Sequence, residues 1–259
     1  MSSQLEKLIK NKALLIEQKK SAIKYADAVG VSFKVYEKQD SNKALSVEEI
    51  KDLNEIYVKS VINTTNILDS HGDVHIKGIW TKSLKESRNL FLLEQHRMDF
   101  DHLISDDVSA KASDFEWSEL GYDYEGKTQA LVFVSKISKE HNTKMFERYA
   151  KGQVKNHSVG MRYVKLFLAV SDKRYKEENE VWEKYINEIA NKEAAEEMGY
   201  FWAVTEAKVI EGSAVLLGSN YATPTIEITA AKGTDINEPS NDTQRKKVVI
   251  DYLTKNFTI

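Results

Sequence analysis

Hydrophobic positions change period along this chain, and each change marks an element. From residue 3 to 27, Leu5, Leu8, Ile9, Ile16, Ile23 and Ala26 recur at helical spacing with Lys and Glu between them. The spacing predicts one helix over 3–27, either docking on a partner or another copy, or packing on its own domain. A short strand is expected at 29–36. Ser46-Val47-Glu48-Glu49 has the pattern of a capping box, so a short helix should run from there to Leu53.

The period then shortens. Ile56 to Ile62 is rich in β-formers, and Asp69-Ser70-His71-Gly72-Asp73 reads as a polar turn. A short helix is expected from Gly78 to Ser87 and a buried strand from Phe91 to Gln95, ending at His96. Residues 109–118 alternate loosely, Gly121 to Gly126 reads as a hairpin connection, and Thr128 to Ser138 is a strong strand. A helix from about Lys139 to Lys151 should bury Met145, Phe146 and Tyr149, with Gly152 as its C-terminal cap. His157 to Val170 and Phe201 to Leu217 read as strands. Between them, residues 172–198 carry Trp182, Tyr185, Ile186 and Ile189 on one face of an inserted amphipathic helix. From Thr229 the chain turns polar and reads as a tail, with a docking segment at Val248 to Phe257. The expected fold is α+β: a mainly antiparallel sheet or barrel with helices at its edges. It divides into an N-terminal helical segment (1–53), a β domain (54–228) and the tail (229–259).

Composition narrows the classes. Charged residues make up 30% of the 259 and the formal net charge is −3, which argues against a dedicated nucleic-acid binder. No run approaches the roughly 20 apolar residues of a membrane span, and Met1 to Lys20 lacks a signal-peptide pattern. A soluble intracellular protein is expected. The absence of cysteine excludes disulfides, zinc–thiolate sites and cysteine nucleophiles.

The chemistry concentrates on Ser158, His96 and Glu211. Ser158 lies at the start of a strand, between His157 and Val159-Gly160. A serine hydroxyl becomes a nucleophile when a base takes its proton. His96 ends an apolar run and suits that task. Glu211 sits inside the apolar segment Ala207 to Val215, where a carboxylate requires a partner, and orienting an imidazole would provide one. Each residue also has an inert reading: a strand-start serine, a surface histidine after a core strand, an edge-strand glutamate facing solvent. His157 is adjacent to Ser158 but points to the opposite face of a strand, and His102 is a reserve candidate. A rival cluster, His71, Asp73 and His75, would share one face if it were a strand and could then bind a transition metal. Its turn-like sequence favours solvation instead.

In that order the motifs resemble those of the prohead (capsid maturation) serine proteases of tailed bacteriophages, the HK97-type family. Asp69-Ser70-His71-Gly72-Asp73-Val74, with Gly78-Ile79-Trp80 and Ser83-Leu84 after it, looks like the family's Asp…Gly-Asp turn and small-residue helix. Gln95-His96 looks like the end of the catalytic-histidine strand. Gly152, then His157-Ser158-Val159-Gly160-Met161, looks like Gly followed by Ser-[apolar]-Gly-[apolar]. Glu211-Gly212-Ser213-Ala214-Val215-Leu216-Leu217-Gly218-Ser219-Asn220 looks like Glu-x-Ser-x-Val-x-x-Pro-Ala-Asn, with Gly218-Ser219 in place of Pro-Ala. The resemblance spans about 55–225. It implies a β-barrel flanked by helices, similar to herpesvirus assembly proteases, and a cofactor-free endopeptidase with Ser158, His96 and Glu211 as catalytic residues. It also implies action on major capsid protein and scaffold segments inside a procapsid in the bacterial host cytoplasm, with self-cleavage and homo-oligomer formation and without a nucleic-acid or membrane partner. Two non-proteolytic alternatives are an inactive assembly or scaffold factor on the same fold and a metal hydrolase using His71, Asp73 and His75.

Overall fold

The alternating segments find partners far away in sequence, and two sheets result. In the computed structural model, which describes residues 2–24, 44–86 and 89–231, the chain opens with two helices, α1 (Ser2–Lys10) and α2 (Lys12–Ser21), then a short strand, β1 (Ile23–Lys24). The single helix expected over 3–27 is therefore broken and ends earlier. Asn11 breaks it: its side-chain amide donates to the Lys7 carbonyl at 2.9 Å, the same oxygen its backbone N–H uses. Such competition for a helix carbonyl is a local stop signal. Ile23, counted in that helix from its spacing, pairs instead with Arg162. The strand expected at 29–36 and the docking segment at 248–257 lie outside the described residues.

The capping box forms as expected at the start of α3 (Val47–Lys51). Ser46 Oγ accepts from the Glu49 N–H at 3.2 Å, and Glu49 Oε2 accepts from the Ser46 N–H at 2.8 Å. There follow β2 (Glu55–Thr64), β3 (Asp73–His75), α4 (Thr81–Glu86), β4 (Leu92–Glu94), β5 (Leu103–Ser105), β6 (Asp107–Glu116), β7 (Lys127–Ser138) and α5 (Thr143–Ala150). The second half holds β8 (Asn156–Val170), α6 (Lys176–Tyr185), α7 (Lys192–Met198), β9 (Tyr200–Val215) and β10 (Thr225–Ala230). The helix expected over 172–198 is thus two helices, with a 3-10 turn at Ile186–Glu188 between them. Trp182, Tyr185, Ile186 and Ile189 all bury against Ala169, Phe201 and Ala203, as their spacing predicts. The β structure also runs past the expected boundary at 228. Thr225 to Ala230 alternates and pairs with β2.

One sheet has the order β1-β8-β9-β4-β5, with β3 also on β9; the other has the order β10-β2-β7-β6. The α+β class with antiparallel sheets is therefore observed. The described residues form no closed barrel, because the strands divide into two separately hydrogen-bonded sheets. The larger sheet is mixed, since β3 and β4 both run parallel to β9. The main core lies between the sheets, where Val58, Ile62 and Phe133 meet Val159, Met161 and Val209. Their approach is closest at Gly212, where a Cβ would lie 2.7 Å from the Phe133 ring. No helix among the described residues is long and apolar enough to cross a membrane.

The N-terminal helices are held by apolar contacts, with Leu5 in the main core and Leu8, Ile9, Leu15 and Ile16 packed against it, and also by charge. No side chain of α2 is fully buried, yet the Lys19 ammonium pairs with Asp73, whose side chain is wholly enclosed. The Tyr163 hydroxyl donates to the other oxygen of Asp73 at 2.8 Å and lies 3.0 Å from His75 Nε2. His75 Nδ1 lies 3.0 Å from Asn63 Oδ1, which also accepts from the Asn220 side chain at 2.9 Å. A buried polar chain thus runs from α2 to the loop after β9. A carboxylate as deep as Asp73 needs its cation. Lys19→Met should lower the free energy of unfolding by about 3 kcal/mol, read from urea denaturation; an unchanged midpoint would show that Asp73 is content without it.

Candidate active site

Strand register alone sets the candidate nucleophile beside the candidate acid. In the β8–β9 ladder Ser158 pairs with Ser213, and Gly160 pairs with Glu211. Directly paired antiparallel residues share a face, as do residues two apart on one strand. Ser158, Ser213 and Glu211 therefore project from one side of the sheet, while Val159 and Gly212 project into the inter-sheet core.

Glu211 is fully buried on a strand flanked by β8 and β4, so the solvent-facing edge position considered from sequence does not apply. Gly160 makes the room: a Cβ there would lie 1.9 Å from Glu211 Oε1 and 2.8 Å from its carboxyl carbon.

His96 arrives from the other flank. β4 runs beside β9 with Leu93 opposite Ser213 and Glu94 opposite Ala214. The chain then reverses through Glu94–Arg97, closed by the Arg97 N–H donating to the Glu94 carbonyl at 3.1 Å. Gln95 and His96 take φ of +53° and +58°. Two consecutive left-handed residues make a tight turn usually built from Asn-Gly, and side chains there carry strain. Hydrogen bonds offset it. The Gln95 N–H donates to the Ala214 carbonyl and the His96 N–H donates to Ser213 Oγ, each at 3.0 Å.

The carboxylate joins these parts. His96 Nδ1 donates to Glu211 Oε1 at 2.6 Å, and Ser213 Oγ donates to Glu211 Oε2 at 2.7 Å. With its proton on Nδ1, a neutral imidazole has its lone pair on Nε2, the atom a general base uses. Ser158 is 7% exposed, and its hydroxyl makes no hydrogen bond among the described residues, to His96 or to any other. Gly218 lies against it, since a Cβ there would be 3.7 Å from Ser158 Cβ. The Asn156 side chain holds this loop by donating to the Leu216 carbonyl at 2.9 Å. Ser213 was not singled out from sequence. The available signal was its place two residues after Glu211 on one strand face.

The remaining histidines divide differently. His157 points away from Ser158, into the core. It stacks on Tyr149, donates from Nδ1 to the Thr223 carbonyl at 3.2 Å, and accepts the Tyr149 hydroxyl at Nε2 at 2.9 Å. Burial depresses its pKa to about 4 and pushes the Tyr149 phenol up, which keeps the tyrosine as donor. His102 pairs with Asp99 on a surface loop.

The rival metal cluster does not assemble as the alternation suggested. Only Asp73 and His75 lie on β3, while His71 sits in the preceding turn. Asp69, His71 and Asp73 do converge, with ligand atoms within 4.8 Å of one another, and could hold a cation. His75 is turned toward Asn63 and Tyr163. The cluster's charge is met from within the chain by Lys19, and burial together with the Asp73 charge raises Asp69 to about 7.

No protein-family profile, curated protein or solved structure matches this chain.

Gly160→Ala should expel the Glu211 carboxylate and destabilise the fold by about 1–3 kcal/mol. It should also abolish the strongly deshielded Nδ1 proton signal expected in NMR from a 2.6 Å His96–Glu211 contact. Persistence of that signal would show that the acid has another seat. His157 gives a pH test. Its folded pKa, about 4, lies below its ordinary 6.5, so between those values the unfolded chain binds the extra proton and stability rises with pH. The contribution is complete above about 6.5 and is lost as pH falls to about 4, a loss of about 3 kcal/mol. Urea unfolding across this window should show that slope, and His157→Gln should flatten it.

Proposed function

We propose that this chain is a serine endopeptidase working through an acyl-enzyme, of the prohead maturation type its motifs resemble. The observation carrying this reading is the 2.6 Å bond from His96 Nδ1 to the buried Glu211 carboxylate, on the face and at the end of the sheet where Ser158 stands. Ser158 Oγ attacks the substrate carbonyl. His96 Nε2 takes the hydroxyl proton and returns it to the leaving amine. Glu211 keeps the Nδ1 proton in place and stabilises the imidazolium that forms. Ser213 and the Glu94–Arg97 turn fix the imidazole, and on this reading the Ser158–His96 hydrogen bond forms when substrate binds. The chemistry requires no cofactor. The two sheets are, on this reading, an opened relative of the barrel of herpesvirus assembly proteases. Major capsid protein and scaffold segments are the proposed substrates, cut inside a procapsid in the host cytoplasm by an oligomer that also cleaves itself.

One observation favours a second reading, an inactive assembly factor on a protease-like fold: the Ser158 hydroxyl is mostly buried and makes no hydrogen bond to His96. The two separate on one experiment. The protein is co-expressed with a major capsid protein of the kind this reading proposes as substrate, with Ser158 intact or as Ser158→Ala, and intact masses are measured. The protease reading expects defined cuts that fall by about 10³-fold or more in the variant, with an unchanged circular dichroism spectrum. Equal masses in both, with no fluorophosphonate labelling of Ser158, would establish the inactive factor.

A further inference from the structure

The rim of this site displays exposed apolar side chains. Nine large hydrophobic residues are exposed among the described ones, and four of these, Met98, Phe100, Leu216 and Leu217, lie on just two loops. Both loops leave the same end of the sheet. Residues 97–102 continue from β4 past His96, residues 216–219 continue from β9 past Val215, and β4 and β9 are parallel neighbours. β8 begins at that end, with Asn156 opposite Val215 and Ser158 two residues on. Ser158 on β8 thus lies beside the 216–219 loop of β9, and the 97–102 loop leaves β4 on the far side of β9.

Neither loop is loosely placed. On one side, Asn156 holds the Leu216 carbonyl, the Ser219 carbonyl accepts from the Ser70 N–H at 3.2 Å, and the Asn220 side chain donates to the Thr64 carbonyl at 2.9 Å. On the other, the Asp99 carboxylate accepts the His102 N–H at 3.1 Å. Anchored backbone therefore holds Phe100 at 95% exposure, Leu216 at 77% and Leu217 at 67%. Single exposed hydrophobics are ordinary. A group of them around a reactive centre marks a contact surface.

Resting on the reading of Ser158 as nucleophile, we infer that Met98, Phe100, Leu216 and Leu217 form the substrate subsites, and that the enzyme selects extended peptide segments with bulky aliphatic or aromatic side chains close to the scissile bond. An extended segment is required because alternating side chains can reach both loops while one carbonyl lies at Ser158.

The test is cleavage of a random-sequence peptide mixture by the full-length protein, read by mass spectrometry, with Ser158→Ala as background. Cuts that depend on Ser158 should be enriched in Leu, Ile, Met or Phe near the cleaved bond. The combined variant Leu217→Ser with Phe100→Ser should reduce the preference for an apolar over a polar peptide roughly tenfold or more, through KM. Both positions are exposed, and an unchanged urea midpoint would verify that the variant folds. Ser158-dependent cuts without apolar enrichment, or a variant with unaltered preference, would overturn the subsites and leave proteolysis standing. No Ser158-dependent cut and no fluorophosphonate labelling would overturn the parent reading and this one with it. A concentration-dependent dimer that the variant dissolves, with preference unaltered, would reassign the rim as an interface between two copies.

Discussion

A carboxylate with no access to water must be given hydrogen bonds and room, and one end of the larger sheet is organised around supplying both to Glu211. The room comes from Gly160 across the ladder. The hydrogen bonds come from His96 Nδ1 and Ser213 Oγ, one to each oxygen. Once those are fixed, much else follows. β4 must lie parallel to β9 so that its end delivers the imidazole. The chain must then turn through two left-handed residues, and Ser213 must serve the His96 backbone and the acid together. The strain of the turn is tolerated because so many partners over-determine it.

The opposite face of the same strand meets a different demand. Gly212 sits between Glu211 and Ser213 yet faces the Phe133 ring, closer than any side chain would allow. Residues 211–213 therefore carry the His96–Glu211–Ser213 hydrogen bonds on one side and inter-sheet packing on the other. The same division holds on β8, where Ser158 faces the acid's side and His157 is locked between Tyr149 and Thr223. Two neighbouring residues of similar chemical promise end up with unrelated environments because strand geometry turns them apart.

Local signals were legible in the sequence and long-range ones were not. The Ser46 capping box, the face of Trp182, Tyr185, Ile186 and Ile189, and the opposed directions of His157 and Ser158 depend on spacing within a few residues. Ser158, His96 and Glu211 were picked out by their contexts, and register brings the serine and the acid to one face while β4 brings the histidine onto that acid. Other features lay beyond local pattern. The break at Asn11 depends on a side-chain bond that periodicity does not encode. The division into two sheets is decided by pairings such as that of β10 with β2, between distant segments. Ser213 stood in the Glu-x-Ser motif with no role assigned, because its bond from the His96 N–H depends on the pairing of β4 with β9. The turn at 69–73 was expected to be solvated, but Asp69, Asp73 and His75 are buried, because Lys19, far away in sequence, supplies a charge that lets Asp73 be enclosed.

That lysine bears on how the chain is made. Asp73 follows Lys19 by 54 residues, and Tyr163, which shares that carboxylate, comes after most of the strands. β3 itself has its parallel partner in β9, near the end of the described fold. The seat of α2 is thus assembled from strands that all follow it in the chain, and the acid that anchors it is enclosed only once β8 and β9 are in place.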